Sequence, residues 1–399
     1  MSSSAVQNGK SQPSVASPRR TIVLLGKYAP GKMDGEIVAT MGHADALHRA
    51  GADLEVWSFS RYISEPKKSQ TRTGADIWTL PLYRAKVLSI WMMPAVTRRW
   101  IESRLSEVQL FHCHGVFSPI HNLVARLGKP YATIPHGGWN TNVFEGRNRL
   151  AKKVWVALSE KRFWSNARFV CATSPGEKKT LEELPGIVRV ELAPNGVEIP
   201  PPEAISPCQG DWVYIGRLAI DYKGMDRLIR AYAMCRSKGV NAPKLVLGGP
   251  DFQGGKAILE KMISELGLEK HVEFVGPVNG PAEKAALLGR ASLFLHTSRS
   301  EAFPLAILEA MAHGVPVLVT PGTNFADMVN QNGVGYGTGD SDEEIAAAMA
   351  SVKIEDASAM GMRARRLVEN EYTWDRTARR LLQAYRRWCG ATFANCELD

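Results

Sequence analysis

Between His296 and Thr320 the chain reads HTSRSEAFPLAILEAMAHGVPVLVT, with two acids, Glu301 and Glu309, placed around the start of an apolar helical pattern. A strand is expected to end near His296, a short loop carries Glu301, and a helix starts near Pro304, a residue suited to the first helical turn. A helix start leaves backbone N–H groups unpaired, here those of Leu305 and Ala306 among others, at the positive end of the helix dipole. Phosphate binds at such ends. Glu301 on one side and Glu309 on the other can accept hydrogen bonds from hydroxyls, which suits a ligand built as sugar, diphosphate and ribose. Alone, the segment reads better as a capping acid followed by an exposed helical Glu. It is not alone: Gly216-Arg217-Leu218 and Lys223-Gly224 follow another strand-like run and bring two cations that can reach a diphosphate.

The Glu301-x7-Glu309 pattern, followed by Glu309-Ala310-Met311-Ala312 and Gly314-x-Pro316-Val317 and preceded by the Gly216-Arg217-Leu218 and Lys223-Gly224 pair, resembles retaining glycosyltransferases of family four. Weaker matches are Pro194-Asn195-Gly196-Val197, His112-x-His114-Gly115, His136-Gly137 and the loop Pro30 to Gly35, so the resemblance covers about residues 20 to 390. It implies the GT-B fold: two doubly wound, Rossmann-like α/β domains facing a central cleft. It also implies a metal-independent enzyme moving a sugar from a nucleoside-diphosphate sugar to a saccharide or glycolipid acceptor, in surface polysaccharide or glycolipid synthesis. Carried over by position, it assigns Arg217, Lys223, the Gly35 backbone and the Leu305 and Ala306 amides to the diphosphate. Glu301, Phe303 and Glu309 fall to the donor sugar and ribose, and Glu301 and His136 to the catalytic centre. No cofactor and no metal are implied, because the cations and the helix start do the neutralising. Two departures stand out: Asp34-Gly35 where many relatives have two glycines, and Pro304 where many have Gly. The readings weighed against this one are a sugar-nucleotide 2-epimerase or phosphorylase on the same fold, and a non-enzymatic carbohydrate or nucleic-acid binding protein; no nucleic-acid-binding signature supports the last.

These residues need a scaffold that brings strand ends together. Thr21 to Leu25, Leu54 to Phe59, Leu110 to His114, Tyr131 to Pro135 and Arg168 to Thr173 read as buried parallel strands separated by helical stretches such as Ile37 to Arg49. Glu198 to Gly210, with four prolines, reads as a linker. The pattern restarts at Asp211 to Ile215 and continues through Lys244 to Leu247, Val272 to Val275, Leu293 to His296 and Pro316 to Val319. The division expected is a disordered tail at 1–20, an acceptor-binding domain at 21–197, a hinge at 198–210 and a nucleotide-sugar domain at 211–373. By the resemblance, the last helix, within 374–390, packs back on the first domain.

With 399 residues, 45% hydrophobic and 22% charged, the chain is long enough for two cores, and wholesale disorder is excluded. Six dispersed cysteines with no C-x-x-C pair argue against a disulfide framework and fit a reducing cytoplasm. Residues 1–200 hold 27 Lys and Arg against 16 Asp and Glu, a surplus of +11 out of a total of +9. That half is expected to meet an acidic acceptor or an anionic membrane surface, giving a cytoplasmic protein peripheral to the inner face. The apolar run Val87 to Val96 is too short to span a bilayer and reads either as an interfacial helix or as an ordinary domain helix broken by Pro94. His112 and His114 share a strand face, but no third metal ligand is apparent, and His296 and His313 read as structural. Asp340-Ser341-Asp342 reads as a helix cap rather than a metal motif. Gly9-Lys10-Ser11 lacks the upstream glycine and strand of a phosphate loop.

Overall fold

Thr21–Leu25 (β1) is a β-branched and apolar run buried at all five positions, as a central parallel strand requires. It lies in the computed structural model, which describes residues 21–28, 35–84, 91–116, 118–138, 156, 160–208, 210–278 and 280–393. The expectations for residues 1–20, for most of the loop before Gly35 and for Val87–Ile90 lie outside the described residues. Around β1 assemble β2 (Leu54–Ser60), β3 (Lys67–Gln70), β4 (Asp76–Pro81), β7 (Val108–His114), β8 (Tyr131–Ile134), β9 (Val170–Ala172) and β10 (Val190–Leu192), while β5 (Tyr83–Arg84) and β6 (Trp91–Met92) form a separate ribbon. The sheet order is β10-β9-β8-β7-β1-β2-β4-β3, parallel throughout except for β3 on β4. β3 is a polar edge strand carrying Lys67 and Lys68, which protects an open edge from further pairing.

The described helices of this half are α1 (Gly35–Arg49), α2 (Ala95–Arg104), α3 (Pro119–Val124), α4 (Lys161–Asn166) and α5 (Pro175–Glu182). The run ending at Val96 is therefore not one helix. Trp91 and Met92 pair as a strand with Tyr83 and Arg84, and α2 begins only after Pro94, which stands at its N-cap, where its missing N–H costs nothing.

The second half repeats the scheme with β11 (Asp211–Ile215), β12 (Leu245–Gly248), β13 (Val272–Gly276), β14 (Ala291–His296), β15 (Val317–Val319) and β16 (Gly335–Gly337), ordered β13-β12-β11-β14-β15-β16 and all parallel. Its helices are α6 (Met225–Ser237), α7 (Gly255–Glu265), α8 (Pro281–Gly289), α9 (Leu305–Ala312), α10 (Ala326–Asn332), α11 (Asp342–Ala350) and α12 (Ile354–Glu371). Strand order reverses between β11 and β14, and in the first sheet between β1 and β7, so each sheet opens a crevice at those strand ends. Separate apolar clusters cover the two faces of the second sheet.

The last helix, α13 (Trp374–Cys389), is capped by the Thr373 hydroxyl and ended by Gly390 in a left-handed conformation. Trp374, Ala378, Leu381, Leu382 and Tyr385 enter the same core as Ile22 and Leu24 of β1 and Leu47 of α1. The chain crosses twice between the halves at one place, where Val197 bridges to Thr373. The Pro-rich segment packs more than its composition suggests: Arg365 donates to the Pro200 carbonyl at 2.9 Å, Ser206 N–H donates to His313 O at 2.8 Å, and Cys208 is buried. Among the described residues no helix is long and apolar enough to cross a membrane.

Candidate functional site

The crevice of the second sheet gathers most of the residues singled out by spacing. Arg217 leaves the end of β11, its guanidinium 5.2 Å from the ring centres of both Tyr222 and Phe252. This aromatic cradle fixes a planar cation without using its hydrogen-bond donors. Lys223 follows, and Gly224 takes a left-handed φ of 61° to start α6.

Glu301 sits on the loop after β14. Its Oε1 accepts hydrogen bonds from Lys223 Nζ, from Ser298 Oγ at 2.8 Å and from His296 Nε2 at 3.0 Å. Among the described residues nothing donates to its Oε2. Burial opposes ionisation of this carboxyl, but the hydrogen bond from His296 and the charge of Lys223 outweigh burial and hold it at about 2. Glu301 is therefore a fixed anion with one oxygen turned over to the protein and the other left to accept. His296 is 1% exposed, and burial first, with Lys223 nearby, lowers its pKa although Glu301 pulls the other way. Since a carboxylate only accepts, His296 carries its hydrogen on Nε2. Sequence alone gave it a purely structural role; in the fold it helps to set Glu301. Lys223, expected at the diphosphate, has its ammonium on this carboxylate.

Downstream, α9 starts at Leu305 with Pro304 as N-cap, so the Leu305 and Ala306 amides stand at the open end of the helix. Glu309, on its second turn, pairs through Oε1 with Lys284 Nζ of α8 at 2.6 Å, and no described donor reaches its Oε2. Both acids of the pattern are thus held by a lysine through one oxygen. Phe303 packs with Phe325, ring centres 5.3 Å apart, and near Tyr372. It borders a cavity of about 690 Å³ lined also by Thr173, Ser174, Asn324 and Arg380, at the strand ends of both sheets.

From the first sheet, Gly35 opens α1, and a side chain added there would meet nothing within 4 Å. His136 follows β8 with φ 49°, a conformation that a non-glycine residue holds only when its surroundings fix it. The surroundings are visible at Gly137: its N–H donates to Glu177 Oε1 at 2.6 Å, and a Cβ placed there would lie 2.1 Å from the Ala302 Cβ. His136 is thereby placed beside the Glu301 loop of the other half. Glu177 also accepts from Thr173 N–H and Oγ1, both at 2.6 Å, which leaves it fully engaged despite a pKa raised by burial.

The structure adds two imidazoles to the His112–His114 pair: His43 and His136 lie with ring centres 5.1 Å from His114. Even so, among the described residues no three His, Cys, Asp or Glu are grouped to hold a metal ion. Ser341 caps α11 with Glu344 closing a reciprocal capping box, while Asp340 and Asp342 pair with Arg227 and Arg230.

Sequence reading missed Lys284, Glu177 and the role of His296. Only Glu177 had a local signal, the Ser174-x-x-Glu177 spelling of a capping box; here the acid turns instead to Thr173 and Gly137. Lys284 meets Glu309 only because α8 and α9 are neighbours in space.

Comparison with known proteins agrees with this architecture. The family described as Glycosyl transferases group 1 matches residues 199–374, and that described as Glycosyltransferase Family 4 matches residues 38–199. A D-inositol 3-phosphate glycosyltransferase of Rhodococcus opacus is 32% identical over 409 residues, covering 92% of this chain and 90% of that protein. A GDP-mannose:cellobiosyl-diphosphopolyprenol alpha-mannosyltransferase of Xanthomonas campestris is 25% identical over 247 residues, 58% of this chain and 60% of its own. Among solved structures, sucrose-phosphate synthase from Thermosynechococcus elongatus superposes with a TM-score of 0.69 at 19% identity, covering 94% of this chain and all of that one. Anabaena HepE in complex with UDP and glucose gives 0.68 at 17% identity, with 92% and 100% coverage. The expected GT-B fold stands.

Proposed function

The chain belongs to the family-four, group 1 glycosyltransferases, and from that premise we propose that it takes its sugar from a nucleoside diphosphate held against the second sheet and transfers it with retention of anomeric configuration. The observation that carries this reading is the convergence of Lys223, His296 and Ser298 on Glu301 Oε1, which leaves Oε2 anionic and available to sugar hydroxyls. Glu309 Oε2 plays the same part for ribose, and Arg217 with the Leu305 and Ala306 amides faces the diphosphate between them. The Gly35 backbone closes on the phosphates from the opposite sheet, and Phe303 backs the donor sugar.

In the transfer, positive charge grows on the sugar and negative charge on the departing diphosphate. Arg217, Lys223 and the α9 amides meet the second charge as groups already in place, and no metal is needed for that task. Glu301 is not the nucleophile: its charge is stabilised by three donors, which lowers its reactivity. The acceptor oxygen attacks the anomeric carbon from the face the diphosphate is leaving, its proton passing to a departing phosphate oxygen. One C–O bond breaks as the other forms, and configuration is kept.

The acceptor, a saccharide or glycolipid, belongs on the first sheet in this reading, where the +11 surplus lies. Exposed Tyr83 and Met92 beside exposed Arg98 and Arg99 support peripheral docking on an anionic cytoplasmic membrane face. The primary test is thermal shift with UDP-, GDP- and ADP-sugars at millimolar concentration. One class should raise Tm in the unaltered protein and fail to do so in Arg217→Ala. No shift with any of them would remove the donor-site assignment.

A further inference from the structure

Three donors hold the side chain of Glu301, and the backbone of its loop is held separately, by the turn that follows β15. Thr320 Oγ1 donates to Ser298 O at 2.7 Å, and Glu301 N–H donates to Gly322 O at 2.8 Å. Asn324 ends that turn in a left-handed conformation, φ 63° and ψ 15°, which asparagine tolerates better than most residues with a side chain. From there its carboxamide reaches back to the loop: Nδ2 donates to Glu301 O at 2.7 Å and to Ala302 O at 3.4 Å. Two carbonyl oxygens on one side of the carboxamide assign its nitrogen to that side, because a carbonyl only accepts. Oδ1 lies towards the first half, 3.2 Å from where a side chain on Gly176 would begin.

In a trans peptide the C=O of one residue and the N–H of the next point in opposite directions. With Glu301 O and Ala302 O turned to Asn324, the N–H groups of Ala302 and Phe303 are turned away from it. Neither has a hydrogen-bond partner among the described residues. Pro304 comes next and has no N–H, so these two donors are set apart from the Leu305 and Ala306 amides at the open end of α9. They stand on the same loop as the Glu301 carboxylate, whose Oε1 takes all three described donors and whose Oε2 takes none. A sugar hydroxyl both donates and accepts, so it can give its hydrogen to Oε2 and receive one from an amide beside it.

We propose that Asn324 is a positioning residue for the donor sugar. By taking Glu301 O and Ala302 O, its carboxamide turns the Ala302 and Phe303 amides into the crevice, where they bind the hydroxyls of the sugar together with Glu301 Oε2. The inference rests on the reading above for the presence of the donor at Glu301. It goes beyond that reading by giving the sugar hydrogen-bond donors as well as an acceptor, and by assigning their direction to a side chain on a different loop. Arg217 and Glu309 are held by other partners, so the nucleoside diphosphate itself does not depend on Asn324.

Asn324→Gly fits the left-handed turn and removes the carboxamide, whereas Asn324→Asp keeps the shape but sets a carboxylate, which only accepts, against two carbonyl oxygens. Calorimetry on the full-length protein compares the UDP-, GDP- or ADP-sugar that raises Tm most with its parent nucleoside diphosphate. In both variants the sugar nucleotide should bind about five- to tenfold more weakly, with the nucleoside diphosphate within about twofold of the unaltered protein. Equal weakening of the two ligands, which a merely structural role would give, overturns the proposal. So does a loss confined to Asn324→Asp, since it would come from the new charge and not from the missing donor. If Asn324→Asp does not fold, Asn324→Gly decides alone, and unchanged sugar-nucleotide binding in it overturns the proposal. Failure of the donor site itself looks different: the unaltered protein then binds none of these ligands, or Arg217→Ala binds them as well as the unaltered protein does. Loss of binding in Arg217→Ala with no selective loss in the Asn324 variants keeps the donor site and removes only the role of Asn324.

Discussion

At the crevice of the second sheet, charge is present before any ligand arrives. Glu301 is answered by Lys223 and Glu309 by Lys284, and Arg217 lies 5.2 Å from the centres of two rings set at right angles. At the crevice of the first sheet, the same fold places four imidazoles, and burial keeps at least three of them uncharged. The difference teaches how a cleft can separate two tasks. In the proposed reading the wall that holds the diphosphate carries fixed charge, and the wall opposite it is lined by rings that burial keeps neutral.

The sharpest way to break this comparison is Glu301→Gln. It keeps one acceptor oxygen but turns the open position into an amide, and we expect transfer to fall by about 10²- to 10³-fold, as when a charge-stabilising group is removed from an active site, with the folded state retained. A steady-state assay together with an unaltered melting curve checks it; near-normal turnover would mean that the charged wall is not the reacting one.

Acid should separate the walls next. In the unfolded chain the histidines protonate below about 6.5, whereas in the folded protein His112 stays neutral down to about 3 and His43 and His114 are also lowered. The unfolded state then binds more protons, so stability is complete above 6.5 and declines below it, by about 1.4 kcal/mol per pH unit for each ring that stays neutral. Glu301 loses its contribution only as pH falls from about 4.5 towards about 2. Between pH 6.5 and 4.5 the histidines, not Glu301, should therefore set the decline, and because three lowered rings lie on α1 and β7 against His296 of β14 and His313 in the second half, amides of α1 and β7 should exchange faster before those of β11 and β14. The reverse order in hydrogen exchange would contradict the contrast.

Smaller effects sharpen the description of the charged wall. Phe252→Leu removes half of the cradle under Arg217, and a loss of about 1 kcal/mol should weaken binding of the preferred nucleoside diphosphate about fivefold by calorimetry. Lys284→Ala frees Glu309 to reorient, with donor KM rising about threefold and kcat little changed. If Lys284→Ala lowered kcat instead, Glu309 would be acting on the transition state.

Much of this was legible in the sequence, and the reason differs by element. β1, β11 and β14 are apolar runs buried on both faces, and such runs announce themselves. β3 (KKSQ), β10 (VEL) and β16 (GYG) are short or polar and become strands only through their neighbours, so no local pattern marks them. Glu301 and Glu309 were readable because a loop and a helix fix their separation within one segment. The histidine cluster was not, since His43 and His136 meet only when β1 brings α1 and the end of β8 to the same crevice. Pro94 misled because a proline inside an apolar run also fits the N-cap of a helix that begins after it.

The placement of α13 has a consequence for the order in which the molecule can mature on the ribosome. Trp374, Leu381 and Tyr385 complete the packing around β1 and α1, yet they leave the exit tunnel only after the whole of the second sheet. The half translated first must wait with part of its interior open while the other half, whose packing is supplied almost wholly by its own sequence, closes ahead of it.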